Sequence, residues 1–172
     1  MQTNLFCQVM ISALTLTGSM LWAKEDVEAV RREAAQWRAE HRTIDLHMHI
    51  EAKEERYERA VKIMDAAGIG VGINLSGGTV TRGTNGEPSD FEQNKAIVEK
   101  RFPDRFVLYM NLDYKDWDKP DFADRAMKQV EQGHRLGAAG LKEYKRLGLN
   151  LRDGSGKLIK IDDPKLDLVW KR

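Results

Sequence analysis

Four short apolar runs begin near residues 43, 69, 105 and 138, at separations of about 26 to 36 residues, the size of one βαβ unit. The segments between them carry helical spacing. Residues 54–67 (EERYERAVKIMDAA) bring Tyr57, Ala60, Val61 and Met64 to one face, and Gly68 follows as a left-handed cap. Ser89 and Glu92 form a capping box after Pro88, so a helix is expected from there to about residue 101. Asp121 is expected to cap a further helix with Phe122, Ala126, Met127 and Val130 on one face, and Gly133 and Gly137 mark its end. Strands alternating with helices require a parallel sheet with right-handed crossovers.

The first strand is the most informative stretch. In 43–50 (TIDLHMHI), Ile44, Leu46, Met48 and Ile50 alternate with Asp45, His47 and His49, which is strand period. Residues two apart on a strand share a face, with α-carbons about 6 to 7 Å apart. Two imidazoles at that spacing can converge on one divalent ion, and imidazole suits zinc, iron, nickel or copper better than calcium or magnesium. Asp45 is expected as a further ligand or as an orienting partner behind the ligands. The bland alternative is a histidine pair on a solvated strand face.

In a parallel barrel, chemistry gathers at the C-terminal strand ends. Asn74 and Ser76 end the second strand, Asn111 and Asp113 the third, and Lys142 and Tyr144 share a face of the fourth. Gly77-Gly78 could present amides to an anion, though a loop is the simpler reading. Trp117 is expected at a pocket mouth or packing a loop onto the sheet, and His134 at a solvated helix end. The Asp153-Gly154-Ser155-Gly156 turn suggests a small hairpin, and Asp163-Pro164 opens a helix.

The segment 43–50, the helix after it and GIGVGINLSGG resemble the start of amidohydrolase-superfamily proteins. Within the superfamily they look like the amidohydrolase-related group that includes amino-carboxymuconate-semialdehyde decarboxylase-like enzymes. The stretch 137–170 (GAAGLKEYKRLGLNLRDGSGKLIKIDDPKLDLVW) is similar to the fourth strand and following loop of the same family. The resemblance covers roughly residues 40–172. It implies an α/β fold, the N-terminal half (about four βα units) of a TIM-type (β/α)8 metal-dependent hydrolase barrel. It also implies a divalent metal, often Zn2+, held by His47 and His49.

The remaining ligands implied are a histidine after each of the fifth and sixth strands and an aspartate after the eighth, which activates water. The sequence carries four strands and none of those, so the catalytic base is expected in a missing C-terminal half. Asp45, Asn74, Asn111 and Lys142 are the expected supporting or rim residues. Some superfamily members carry a carbamylated lysine on the fourth strand, and Lys142 stands as that residue or as one that binds a substrate carboxylate or a neighbouring acid.

The expected activity is hydrolysis of a C–N, C–O or related bond of a small molecule by metal-activated water, with decarboxylation as a sister reaction. Two alternatives stand beside it. One is a phosphoesterase or nuclease barrel, which also opens with Asp-x-His-x-His. The other is a truncated, non-catalytic chain.

A net charge of +1 provides no broad field for nucleic acid, so the expected partner is a small-molecule substrate, with a homo-oligomer compatible with the fold. Residues 4–23 carry no charge and are mostly apolar, up to Lys24-Glu25-Asp26. They read as a signal peptide over 1–23, which makes the protein secreted or periplasmic, without a membrane association after cleavage. An uncleaved anchor is the rival reading, since about twenty apolar residues can span a bilayer. Residues 24–42 then form an N-terminal helix and 43–172 a partial barrel. Removal of 1–23 would take Cys7, the one cysteine, with it.

Overall fold

Each repeat unit adds its strand to the same side of the sheet. The computed structural model describes residues 27–171, so the apolar run at 4–23 lies outside the described residues. The chain divides into two units, Met1–Arg42 and Thr43–Arg172. In the first, helix α1 covers 27–39 as its Ala, Glu and Arg content predicts, and its Val27, Val30 and Trp37 are exposed. Among the described residues no helix is long and apolar enough to cross a membrane.

The second unit runs β1 (Thr43–Met48), α2 (Glu54–Ala67), β2 (Ile69–Asn74), α3 (Asp90–Arg101), β3 (Phe106–Met110), α4 (Phe122–Leu136), β4 (Gly140–Leu141) and a short closing helix α5 (Asp167–Trp170). The four strands are parallel, in the order β1-β2-β3-β4, and form a curled half-barrel sheet. An order without reversal keeps right-handed crossovers on one face, so the helices form a single layer.

The core lies between that layer and the sheet. Tyr57 and Met64 of α2, Phe91 and Val98 of α3, and Phe106, Leu108 and Met110 of β3 are all buried in one cluster. Met48 and Ile50 belong to the same side, so alternation turns Asp45, His47 and His49 to the opposite, concave face. β1 pairs only with β2 among the described strands, and Ile44 and Leu46 remain 55% and 67% exposed. A second cluster packs Trp117, Phe122 and Ala126 against Leu147, Ile159, Leu166 and Val169. Trp117 is therefore a packing residue: it lies 4.6 Å from Phe122 between ring centroids, and Lys165 donates to its carbonyl at 2.8 Å.

The caps follow the sequence with two differences. Ser89 Oγ accepts from Glu92 N–H while Glu92 accepts from Ser89 N–H at 2.9 Å, the expected capping box. Gly68 and Gly137 take left-handed φ of 71° and 91° at helix ends. Asp121 stands at the start of α4 but makes no cap hydrogen bond; its carboxylate meets Arg125 at 3.3 Å instead. Gly133 lies inside α4, not at its end. A Cβ there would fall 2.1 Å from Met110 Sδ, so the glycine admits the strand side chain against the helix.

β4 is shorter than the run 138–144 suggests, although Ala139 N–H and Lys142 N–H still bond Leu108 and Met110 carbonyls. The Gly-rich turn forms the expected hairpin, with Arg152 bridged antiparallel to Leu158. Asp163 caps the 3-10 turn Pro164–Leu166 that leads into α5.

Candidate functional site

At the C-terminal end of β1, His47 and His49 emerge on the same face and their rings meet. The two Nε2 atoms are 3.1 Å apart and the ring centroids 5.0 Å apart, nearly edge to face. His49 Nδ1 lies 2.7 Å from Ser76 Oγ, at the end of β2. Tyr144 Oη, just past β4, donates to the same Ser76 Oγ at 2.7 Å, and its ring stacks on His49 at 6.0 Å. Three strand ends thus converge on one imidazole pair. The His49 pKa is held below its ordinary value, first by partial burial and then by His47, Lys142 and Lys145. Its neutral form, the one able to offer a lone pair, is thereby favoured.

The pair fits two ligands of a divalent ion. With imidazole–metal bonds of about 2.0 to 2.1 Å, nitrogens 3.1 Å apart subtend about 100° at a shared ion, close to a tetrahedral angle. Among the described residues no group of three or more His, Cys, Asp or Glu side chains could hold a metal. Asp45 does not join the pair, because its carboxylate turns back along β1 and accepts from His47 N–H at 2.9 Å. It braces the backbone that carries His47. His134 is exposed in the last turn of α4, and His41 precedes β1.

Asn74 and Asn111 sit beneath this rim, fully and almost fully buried. Asn74 accepts from the N–H groups of Ile50 and Ser76 and donates to Ile50 C=O and Tyr57 Oη. It therefore clamps both neighbours of the site, the residue after His49 and Ser76 itself. Asn111 accepts from Gly78 N–H and donates to the carbonyls of Leu75 and Lys142, tying the ends of β2, β3 and β4 together. Lys142 is half-buried beside the pair.

Gly77 N–H donates to Tyr109 C=O, and Gly78 N–H to Asn111. The two glycine amides are thus spent on the fold and form no anion nest. Gly78 needs its φ of 94°, and a Cβ there would lie 2.4 Å from Asp90 Cβ.

Two clefts open at the site. One of about 500 Å³ runs along the β1 edge past His47, His49, Arg56 and Arg59. Another of about 460 Å³ is lined by Ser76, Asn111, Tyr144 and Arg146, with Glu51 and Asp90 at its margin.

Behind β4, the Glu143 carboxyl is pushed up to about 7, chiefly by burial. Burial and the nearby Glu143 raise the Tyr114 phenol as well. The two side chains approach each other, yet Tyr114 Oη and Glu143 Oε1 complete no well-formed hydrogen bond among the described residues. They line a cavity of about 20 Å³, room for one water.

No protein-family model, curated protein or solved structure matches the chain.

Proposed function

We propose that the chain carries the opening part of an amidohydrolase-type metal centre, with His47 and His49 as two ligands of a divalent cation, zinc by preference. One observation carries this reading: both Nε2 atoms, from residues 47 and 49 at the close of the alternation where β1 ends, point to a common locus at the C-terminal end of a parallel sheet. The unreversed strand order and the curl support a TIM-type (β/α)8 barrel of which these four units are the first half. The reaction proposed is hydrolysis of a C–N, C–O or related bond in a small molecule, and the run at 4–23 is proposed to direct export.

When bound, the ion would lower the pKa of a water and polarise the substrate oxygen. The chain's own residues bind and orient. Asp45 fixes the backbone at His47, Asn74 fixes it after His49, and Ser76 meets the outer nitrogen of His49. Lys142 and Arg146 set positive charge beside the cleft, where an anionic group on the substrate would be drawn in. The remaining ligands and the general base are assigned to strands that close the barrel.

A second reading has its own support. No third ligand joins the pair among the described residues, so the chain by itself would hold metal weakly and not turn over substrate. Zinc titration by calorimetry tests both readings. One weak site is expected, and His47→Ala or His49→Ala should each weaken it about tenfold or more. Equal zinc binding in wild type and both variants ends the ligand assignment.

A further inference from the structure

His49 is engaged at both ring nitrogens, and the hydrogen count there is restrictive. Nε2 faces His47 Nε2 at 3.1 Å, Nδ1 faces Ser76 Oγ at 2.7 Å, and Ser76 Oγ already receives the Tyr144 hydroxyl at 2.7 Å. A neutral imidazole donates at one nitrogen and accepts at the other, and a serine hydroxyl has one hydrogen to give. With Tyr144 donating to Ser76, His49 has two neutral tautomers to place on these contacts.

In the first, Tyr144 donates to Ser76, Ser76 donates to His49 Nδ1, and His49 Nε2–H donates to His47 Nε2. The inner groups of this chain each give one bond and receive one, and such chains strengthen cooperatively. In the second, His49 Nδ1–H donates to Ser76, whose own hydrogen must find another acceptor, and the two Nε2 lone pairs face each other at 3.1 Å with no hydrogen between them.

The first arrangement is the better satisfied one without metal, and it blocks the site. With hydrogen on His49 Nε2, the two imidazoles cannot share an ion through their Nε2 atoms. Only the second arrangement exposes both lone pairs, with His49 donating its other ring N–H as ligating histidines do.

We propose that Ser76, itself engaged by Tyr144, is a positioning residue that sets the tautomer of His49: hydrogen on Nε2 in the metal-free protein, and on Nδ1 once Ser76 turns from donor to acceptor to admit a cation. The reversal conserves protons. His49 exchanges a hydrogen at Nε2 for one at Nδ1, the Ser76 hydrogen rotates away, and His47 keeps its hydrogen on Nδ1 throughout. The metal-loaded half of this proposal rests on the function proposed above; the metal-free half stands alone.

The same Ser76–His49 contact could suggest a nucleophile and its base. The loop argues against that. The N–H groups of Ser76, Gly77 and Gly78 are all donated within the fold, to Asn74, Tyr109 and Asn111, leaving none of them for an oxyanion.

The test is ring 1H–15N correlation spectroscopy on 15N-labelled wild type, Ser76→Ala and Ser76→Thr at pH 8, without and with zinc, His49 being assigned by its loss in His49→Ala. Metal-free wild type should show His49 protonated at Nε2, with Nδ1 shifted as a hydrogen-bonded acceptor. Ser76→Ala should move Nδ1 to the unbonded acceptor position, and Ser76→Thr should restore it. Zinc should move the hydrogen to Nδ1, and Ser76→Ala should weaken zinc binding about 10- to 100-fold, with Thr restoring it. Hydrogen on Nδ1 in metal-free wild type, or an Nδ1 resonance indifferent to Ser76→Ala, would overturn the proposal. No response of any histidine to zinc would sink the metal function instead, with the metal-free spectra still deciding the role of Ser76.

Discussion

Two polar clusters stand at the same rim, one buried and one half-buried, and meet opposite fates. Beneath the histidines, Asn74 and Asn111 have partners for both their oxygen and their amide nitrogen. Behind β4, Tyr114 Oη and Glu143 Oε1 have none among the described residues. A buried amide with every group engaged locks the strands that carry the site. Burial of the Glu143 carboxyl, with Oε1 unsatisfied, outweighs the pull of Tyr114, Arg146 and Lys142, so its pKa rises to about 7. One cluster fixes geometry, and the other stores a proton.

The largest effect should come from breaking the satisfied cluster. Asn74→Ala leaves Ile50 N–H, Ile50 C=O and Ser76 N–H without their partner, next to both His49 and the residue that meets its ring. A loss of about 3 kcal/mol is expected in urea unfolding, with weaker zinc binding in the same protein. A loss under about 1 kcal/mol would mean that water replaces the amide easily, and the contrast between the clusters would collapse.

The unsatisfied cluster should respond to pH. The folded chain holds the Glu143 proton more tightly than the unfolded chain does, because its carboxyl is raised to about 7. Its contribution is therefore full in acid and is lost as pH rises through about 7. After allowance for solvent screening of a half-buried group, wild type should lose about 1 to 2 kcal/mol of stability between about pH 5 and 8. Glu143→Gln keeps the shape and removes the ionisation, so that decline should flatten. An equal decline in the variant would assign the pH dependence elsewhere.

Much of this was legible in the chain, and the limit has a physical cause. The period-two pattern of residues 43–50 places both histidines on one face with no tertiary information, because strand alternation is local. Gly68, Gly137 and the Ser89–Glu92 box are local signals too, and the helix ends obey them. The rim positions of Ser76 and Tyr144 could be read, but not their contact across 68 residues, which depends on how the sheet curls. The amide clamps left a faint signal: Asn74-Leu75 and Asn111-Leu112 repeat the same dipeptide where successive strands end. Gly133 misled as a helix stop because its reason for being glycine is Met110, a residue of another element.

The smallest effects make the sharpest comparison, since one chemical change is made in both clusters. Tyr57 and Tyr114 are both raised above the ordinary phenol value by burial, Tyr57 to about 12. Tyr57 Oη donates to Asn94 at 2.6 Å and accepts from Asn74 at 2.8 Å, so Tyr57→Phe leaves Asn94 Oδ1 without its donor and Asn74 Nδ2 with Ile50 C=O alone, and should cost about 1 kcal/mol. Tyr114 Oη has no completed bond to lose, so Tyr114→Phe should be neutral or stabilise by about 0.5 kcal/mol at pH 5. The Tyr114 hydroxyl also lowers the Glu143 pKa, and its removal should push the Glu143 midpoint up, moving the pH-dependent loss of stability to higher pH. Urea unfolding of both variants at several pH values decides the matter. Equal costs at the two tyrosines, with no movement of the pH window, would show that water inside the small cavity completes the Tyr114–Glu143 pair and that the two clusters are equally satisfied.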